Sequence, residues 1–262
     1  MNYHSTEVRQ RALILLRGGA KNADVARELN IPAGTVGAWK HKDRARRGEC
    51  PGAHKPTCPR CDGRPMDLAG YAYLLGQYLG DGHISHYAGH RAPTLRITCA
   101  DSWPGVSRET ERAMRAIFPE NRVNQVSKVG CHDLKVVSKH LPCLFPQHGP
   151  GMKHTRKITL EPWQQEIVNA YPWEFVRGLI HSDGCRTMNW TTRLVGGERK
   201  RYEYPRYFFT NKSDCIRQLF TDTLDALGLT WTHCTRHGNP YNISVARKAD
   251  VDLLDIHVGP KY

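Results

Sequence analysis

One pattern constrains this chain more than any other: "LLGQYLGDG", Leu74 to Gly82, returns as "VRGLIHSDG", Val176 to Gly184. Gly76, Asp81 and Gly82 recur at a constant offset as Gly178, Asp183 and Gly184. An internal repeat of this kind dictates architecture before any single residue does. It predicts two similar units that meet through these segments.

The stretches around the two motifs run in parallel. After the first come strand-like "HISHY" and "TLRITCA", a helix-like "SWPGVSRETERAMRAIF", strands "NRVNQVSKV" and "CHDLKVVS", and a helix-like "KHLPCLF". After the second come "CRTMNW", "YPRYFFTN", a helix "SDCIRQLFTDTLDALG", strands "LTWTHCTRH" and "YNISVAR", and a last helix "ADVDLLDIH". Each half reads as αββαββα, so the fold class is α+β with a pseudo-twofold. Pro93, Thr98, Lys139 and the Gly149-Pro150 pair echo as Pro205, Thr210, Lys248 and Gly259-Pro260, and the polar "TTRLVGGERKR" lengthens one hairpin of the second half.

On a helix, Gly76 and Gly80 lie four apart, as do Gly178 and Ser182, so each motif offers a stripe of small residues where two helices can cross at backbone contact. That close packing offsets the ~1 kcal/mol that a helical glycine costs relative to alanine. Crossing helices bring their C-terminal ends together, and with them Asp81 and Asp183. Each acid then sits at the negative end of a helix dipole. Two carboxylates about 4 Å apart repel by a further ~4 kcal/mol at an effective dielectric of 20. A divalent cation between them meets that electrostatic demand and suits phosphodiester chemistry. One Asp-Gly alone is an ordinary turn signal; the doubling sets these two apart.

With 262 residues and 39% hydrophobic content, the chain can bury a core in one large domain or in a medium one with an appendage. Lys and Arg exceed Asp and Glu by 38 to 25, a net +13 that attracts polyanions such as nucleic acid. The sequence contains neither a secretory h-region nor a long apolar run, which makes the cytoplasm the expected compartment. Nine cysteines, an odd and mostly irregular set, argue against a secreted disulfide framework.

Residues 1–45 read as a three-helix module. Val8, Ala12, Leu15 and Leu16 share a face of the first helix, and Val25, Ala26, Leu29, Ile31, Val36 and Trp39 have the spacing of two helices packed across a tight turn at Asn30. This resembles a helix-turn-helix, with Pro32 to Lys42 as recognition helix and Thr35, Lys40 and Lys42 as candidates for groove or phosphate contact. The alternative is a module that packs on the rest of the chain. Residues 46–66 read as a basic linker holding Cys50, His54, Cys58 and Cys61. Cys58-x-x-Cys61 has zinc-knuckle spacing, with Cys50 or His54 to complete the ligands; a redox pair and plain linker thiols are the alternatives.

The doubled motif resembles the signature of the LAGLIDADG homing endonucleases, through Leu75, Gly76, Gly80, Asp81 and Gly82 in one copy and Val176, Gly178, Leu179, Ile180, Asp183 and Gly184 in the other. The resemblance covers about residues 67–262, with repeats at 67–160 and 161–262. It implies a single-chain, two-repeat protein, a monomer whose four-stranded sheets form a saddle over double-stranded DNA with a long target site. It also implies that Asp81 and Asp183 bind Mg at the cleavage centre. Lys153 and Lys261, each after a Gly-Pro, stand where the family places a basic residue near a scissile phosphate; simple phosphate contact or tail solvation is the plainer reading. Strand residues Arg96, Lys135, Arg206 and Arg247 alternate with apolar neighbours and are candidates to face the groove.

The whole chain is also similar to bacterial proteins that join a helix-turn-helix to this doubled domain and carry the label of transcriptional regulators. A Mg-dependent, sequence-specific endonuclease is the leading expectation, and a regulator that keeps the fold without cutting is the second. An RNA-splicing maturase is a third, against which the helix-turn-helix speaks. The sequence offers no convincing Ser/His/Asp or Cys/His arrangement and no P-loop. His83 and His181, beside the acids, read as solvated or hydrogen-bonded imidazoles.

Overall fold

The structure, a computed structural model, describes residues 4–49, 58–85, 92–236 and 238–262. Cys50 and His54 lie outside the described residues. The chain divides into two compact units, Met1–Thr57 and Cys58–Tyr262. Residues 58–66, expected as part of a linker, therefore belong to the second body.

The first unit holds helices α1 (Thr6–Arg17), α2 (Asn22–Glu28) and α3 (Ala33–Arg46). Ser5 starts α1 by accepting a hydrogen bond from the Val8 amide at 3.3 Å, which satisfies one of the orphan donors of the first turn. Ala12, Leu16, Val25, Ile31 and Val36 form its core. Asn30 turns the chain between α2 and α3 at φ +50°, a left-handed conformation that Asn tolerates better than most residues. Arg17, at the end of α1, grips Asp43 of α3 through two hydrogen bonds of 3.1 and 2.6 Å.

The second unit repeats one plan. Helix α4 (Leu68–Leu79) leads into β1 (Gly82–Ser85), β2 (Thr94–Ala100), α5 (Pro104–Ile117), β3 (Val123–Lys128), β4 (Cys131–Val137) and the short α6 (Leu141–Leu144). Helix α7 (Pro162–Ala170) intervenes, and α8 (Pro172–Asp183) opens the second copy: β5 (Gly184–Val195), β6 (Glu198–Thr210), α9 (Asp214–Ala226), β7 (Thr232–Arg236), β8 (Asn239–Val245) and α10 (Lys248–His257). The sheets are antiparallel with the same order, β1-β2-β4-β3 and β5-β6-β8-β7. That identity of order is the αββαββα duplication in three dimensions.

Three features go beyond or against the expectations from sequence. Helix α7 has no counterpart in the pattern; it starts from a reciprocal capping arrangement of Glu161 and Gln164, and Gln164 is buried where it donates to the Tyr71 hydroxyl at 2.7 Å. The β5–β6 hairpin is longer than expected, paired from Gly184↔Phe209 out to Val195↔Glu198. Gly196 and Gly197, both at positive φ, close it as a two-residue turn. Arg247, expected on a strand, is the N-cap of α10, because β8 ends at Val245.

The core lies between the sheets and the two central helices. Leu74, Leu75, Tyr78 and Leu79 of α4 and Phe175, Val176, Leu179 and Ile180 of α8 are all buried. Among the described residues no helix is long and apolar enough to cross a membrane.

Candidate active site

Helices α4 and α8 touch backbone to backbone. A Cβ on Gly76 would lie 2.6 Å from the Phe175 carbonyl oxygen, and one on Gly178 would lie 2.2 Å from that of Tyr73. One on Gly80 would meet Ser182 Oγ at 2.1 Å and Asp183 Cγ at 3.2 Å. The last contact also shows how near the foot of α4 comes to the second acid. Gly82 and Gly184 are required for another reason, since each starts a strand directly under its own helix, where a Cβ would strike Tyr78 or Ile180. The Asp-Gly step is thus the point at which helix turns into sheet.

Asp81 follows the last turn of α4 and Asp183 ends α8. Asp81 opens to solvent on one side while protein closes around the rest of its carboxylate. Burial, and then the charge of Asp183, push Asp81 up to about 6, against the pull of Lys261 and Lys153. Burial also raises Asp183, offset by a hydrogen bond at 2.6 Å from Asn211, a partner that no sequence motif signalled.

Two lysines complete the site. Lys153 donates to the carbonyls of Tyr78, Leu79 and Gly80 at 2.7, 2.8 and 2.6 Å, and so spends all three ammonium protons on the end of α4. Burial lowers it to about 8 although both acids oppose this. Lys261 donates to the Ser182 carbonyl of α8 at 2.6 Å and is lowered for the same reason. Cations at the negative ends of both helices hold the field that the acids would otherwise face alone. His181 is buried, shares a 3.2 Å contact with the Tyr73 hydroxyl and is pushed down to about 4 by burial, so it is a neutral packing group.

A carboxyl with a raised folded-state pKa binds its proton more tightly folded than unfolded. The native state therefore loses stability from this group as pH rises from the ordinary value of about 4 towards 6. In EDTA, Asp81→Asn should raise the melting temperature at pH 7.5 and change it little at pH 4. Thermal scans at the two pH values check this; destabilisation at pH 7.5 would mean that the lysines outweigh burial and Asp183.

The sheets present a second set of residues. His83↔Arg96, Arg96↔Lys135 and Lys135↔Asn124 are register partners, so these four form a row across β1, β2, β4 and β3. The row lies opposite the core-facing Ile84, Leu95, Leu134 and Val136. In the other sheet Arg206 pairs with Thr187 and stacks over Tyr204 and Phe208 on its own strand. In the first unit, Thr35 and Lys40 are half-buried on α3 and Lys42 is exposed.

The knuckle cysteines Cys58 and Cys61 stand beside two residues from much later in the chain. Cys58, Cys61, His140 and Cys143 bring one ligand atom each to within 4.8 Å of one another. His140 and Cys143 stand far along the chain from the knuckle; the only signal of them in the sequence is their i, i+3 spacing in "KHLPCLF".

No protein-family model matches the sequence, and no curated protein matches it. Among solved structures, mesophilic variants of the homing endonuclease I-DmoI match with a TM-score of 0.50 and 18% identity, over 73% of this chain and 90% of that one. A variant of I-DmoI in complex with its target DNA and magnesium follows at 0.49 and 18%, over 73% and 96%. The N-terminal LAGLIDADG domain of WhiA is similar at 0.46 and 12%, over 75% and 86%. With two motif helices in backbone contact, an acid at the foot of each and two sheets of identical order, the second unit has the fold of the LAGLIDADG homing endonucleases.

Proposed function

We propose that this protein is a divalent-metal-dependent endonuclease that cuts double-stranded DNA at a long specific site, with Asp81 and Asp183 as its metal ligands. The observation that carries this reading is the acid pair itself. Two carboxylates at the touching ends of two helices, with the first pushed up to about 6 even though Lys153 and Lys261 pull it down, form a hard-oxygen site whose repulsion the lysines do not fully offset. Their donor chemistry fits Mg, which when bound lowers the pKa of water and offsets charge on the leaving oxygen.

The protein's own groups supply the rest. Asn211 fixes the orientation of the Asp183 carboxylate. Lys153, with its three protons committed to α4, acts as a fixed cation that keeps that helix end compatible with an approaching phosphate. Lys261 commits one proton to Ser182 among the described residues and is the better placed of the two to donate to a phosphate oxygen. The row of His83, Arg96, Lys135 and Asn124, with Arg206 and Thr187 on the other sheet, offers donors to the major groove. Thr35, Lys40 and Lys42 of α3 offer a separate DNA reader in the first unit, and the net charge of +13 favours the polyanion. The duplication makes a monomer sufficient for two strand cuts.

The three-helix first unit favours a second reading, a transcriptional regulator that binds through the same surfaces without cutting. Incubating the full chain with a randomised duplex library, in Mg and in EDTA, separates the two. The nuclease reading expects discrete cleaved duplexes that disappear in EDTA. Specific retention of duplexes with no cleavage in Mg or Mn would overturn it in favour of the regulator.

A further inference from the structure

We propose that Cys58, Cys61, His140 and Cys143 form a structural zinc site that staples the start of the second unit to the end of its first repeat. Three thiols and an imidazole, drawn from two segments far apart in sequence, converge with their ligand atoms all within 4.8 Å. Tetrahedral zinc with sulfur bonds of about 2.3 Å places its ligand atoms roughly 3.7 Å apart, so the cluster needs only a small contraction to close on an ion. Cys61 and Cys143 stand 3.3 Å apart, sulfur to sulfur, a pair that opens by only about 0.4 Å to admit the ion.

The local backbone is arranged for this. In the first segment, the Asp62 amide donates to the Cys58 carbonyl at 3.0 Å, and the Asp62 carboxylate accepts from the Cys58 amide at 3.1 Å. That turn holds Cys58 and Cys61 on one side of a knuckle. In the second segment, His140 is the N-cap of α6 and Cys143 lies three residues on, where i, i+3 side chains share a face. Cys58 is fully buried, and Cys61, the ligand that reaches solvent, is the exposed member. Four protein ligands leave no open position, which makes the site structural rather than catalytic.

The need for a staple is also visible. Helix α6 spans four residues, far too short to persist by itself. Residues 58–64 contain no regular element, yet Arg60 stacks on Trp163 at 4.5 Å and the unit begins at Cys58. The metal would join these two weak segments beside Leu144, whose carbonyl accepts from Tyr71 of α4 at 2.5 Å. The site is independent of the acid pair and of any nuclease activity.

Metal analysis of the full chain, produced in zinc-supplemented medium and purified under reducing conditions, should give one zinc per chain. Cys58→Ser and Cys143→Ser should lose it, Cys215→Ser should keep it, and Asp81→Asn with Asp183→Asn should leave it in place. Because the serine variants can fail to fold, the unmodified protein carries a second readout. Cobalt exchange should produce the intense visible bands of a tetrahedral thiolate site, and His140→Cys should retain the metal with stronger thiolate charge-transfer absorption. Substoichiometric zinc would overturn the proposal. So would a Cys61–Cys143 disulfide found without zinc, or zinc that follows the aspartates instead of the cysteines.

Discussion

Asp81→Asn and Asp183→Asn should each slow DNA cleavage about a thousandfold or more while leaving DNA affinity intact or tighter. The split follows from what the carboxylates do in each state. In the cleavage transition state they would hold the divalent ion, whose charge stabilisation is worth several kcal/mol, and each 1.36 kcal/mol lost is tenfold in rate. In the binding step they are two negative charges facing a polyanion, so removing either one lessens repulsion. Asn keeps the shape and one oxygen donor but not the charge. Asn211, which donates to Asp183 at 2.6 Å, can still reach the amide oxygen in Asp183→Asn, so the foot of α8 should stay in place. Single-turnover cleavage and gel-shift titration on the same duplex read the two effects separately. Wild-type rates in both variants would remove the acids from the mechanism. A parallel loss of binding and cutting would point instead to a structural role at the helix ends.

The parts of this molecule that are legible in the sequence are those where local periodicity and burial coincide. The two motif helices combine a buried face, small residues at four-residue spacing and an acid at the end, so their crossing follows from residue size alone. Strand β2 alternates from Leu95 to Ala100 because one face meets the core and the other does not, whereas β4 also buries His132 and Asp133 beside Leu134. Where that coincidence fails, legibility fails with it. The strand reading of "YNISVAR" extends past Val245 although the alternation stops there; the chain leaves the sheet, and Arg247 becomes a helix cap. Helix α7 is short and half polar, and is held by Gln164 bonding into a buried Tyr71 network that no pattern announces.

The metal cluster marks the same boundary from the other side. Cys58 and Cys61 are conspicuous because their spacing is local, whereas His140 and Cys143 acquire meaning only when β4 and α6 are laid beside the knuckle. Asn211 is a similar case, since its bond to Asp183 depends on β6 returning along β5 to the foot of α8. Long-range partners are set by topology, and topology here is readable from sequence only to the level of a duplicated αββαββα.

Gly178→Ala should be the most damaging single methyl that can be added to the second unit. Its Cβ would lie 2.2 Å from the Tyr73 carbonyl oxygen, and also 3.0 Å from the Cα of Gly76. Both are backbone atoms inside a helix, so nothing rotates away and the two helices must move apart. Alanine's better helix propensity returns at most ~1 kcal/mol, while overpacking a tight core costs about 1–3 kcal/mol and more where backbone must shift. We expect a net loss of about 3 kcal/mol, near 6–12 °C in melting temperature for a body of this size. Gly76→Ala, at 2.6 Å from the Phe175 carbonyl, should follow closely. Gly80→Ala is different in kind, because its nearest neighbour is the Ser182 side chain, and pairing it with Ser182→Gly should recover much of the loss. The first unit, whose core of Ala12, Leu16, Val25, Ile31 and Val36 is its own, should melt unchanged. Calorimetry on the full chain resolves the two transitions. A shift under about 2 °C for Gly178→Ala would mean that the helices have slack. In that case the spacing of Asp81 and Asp183 would not be set by the glycines above them.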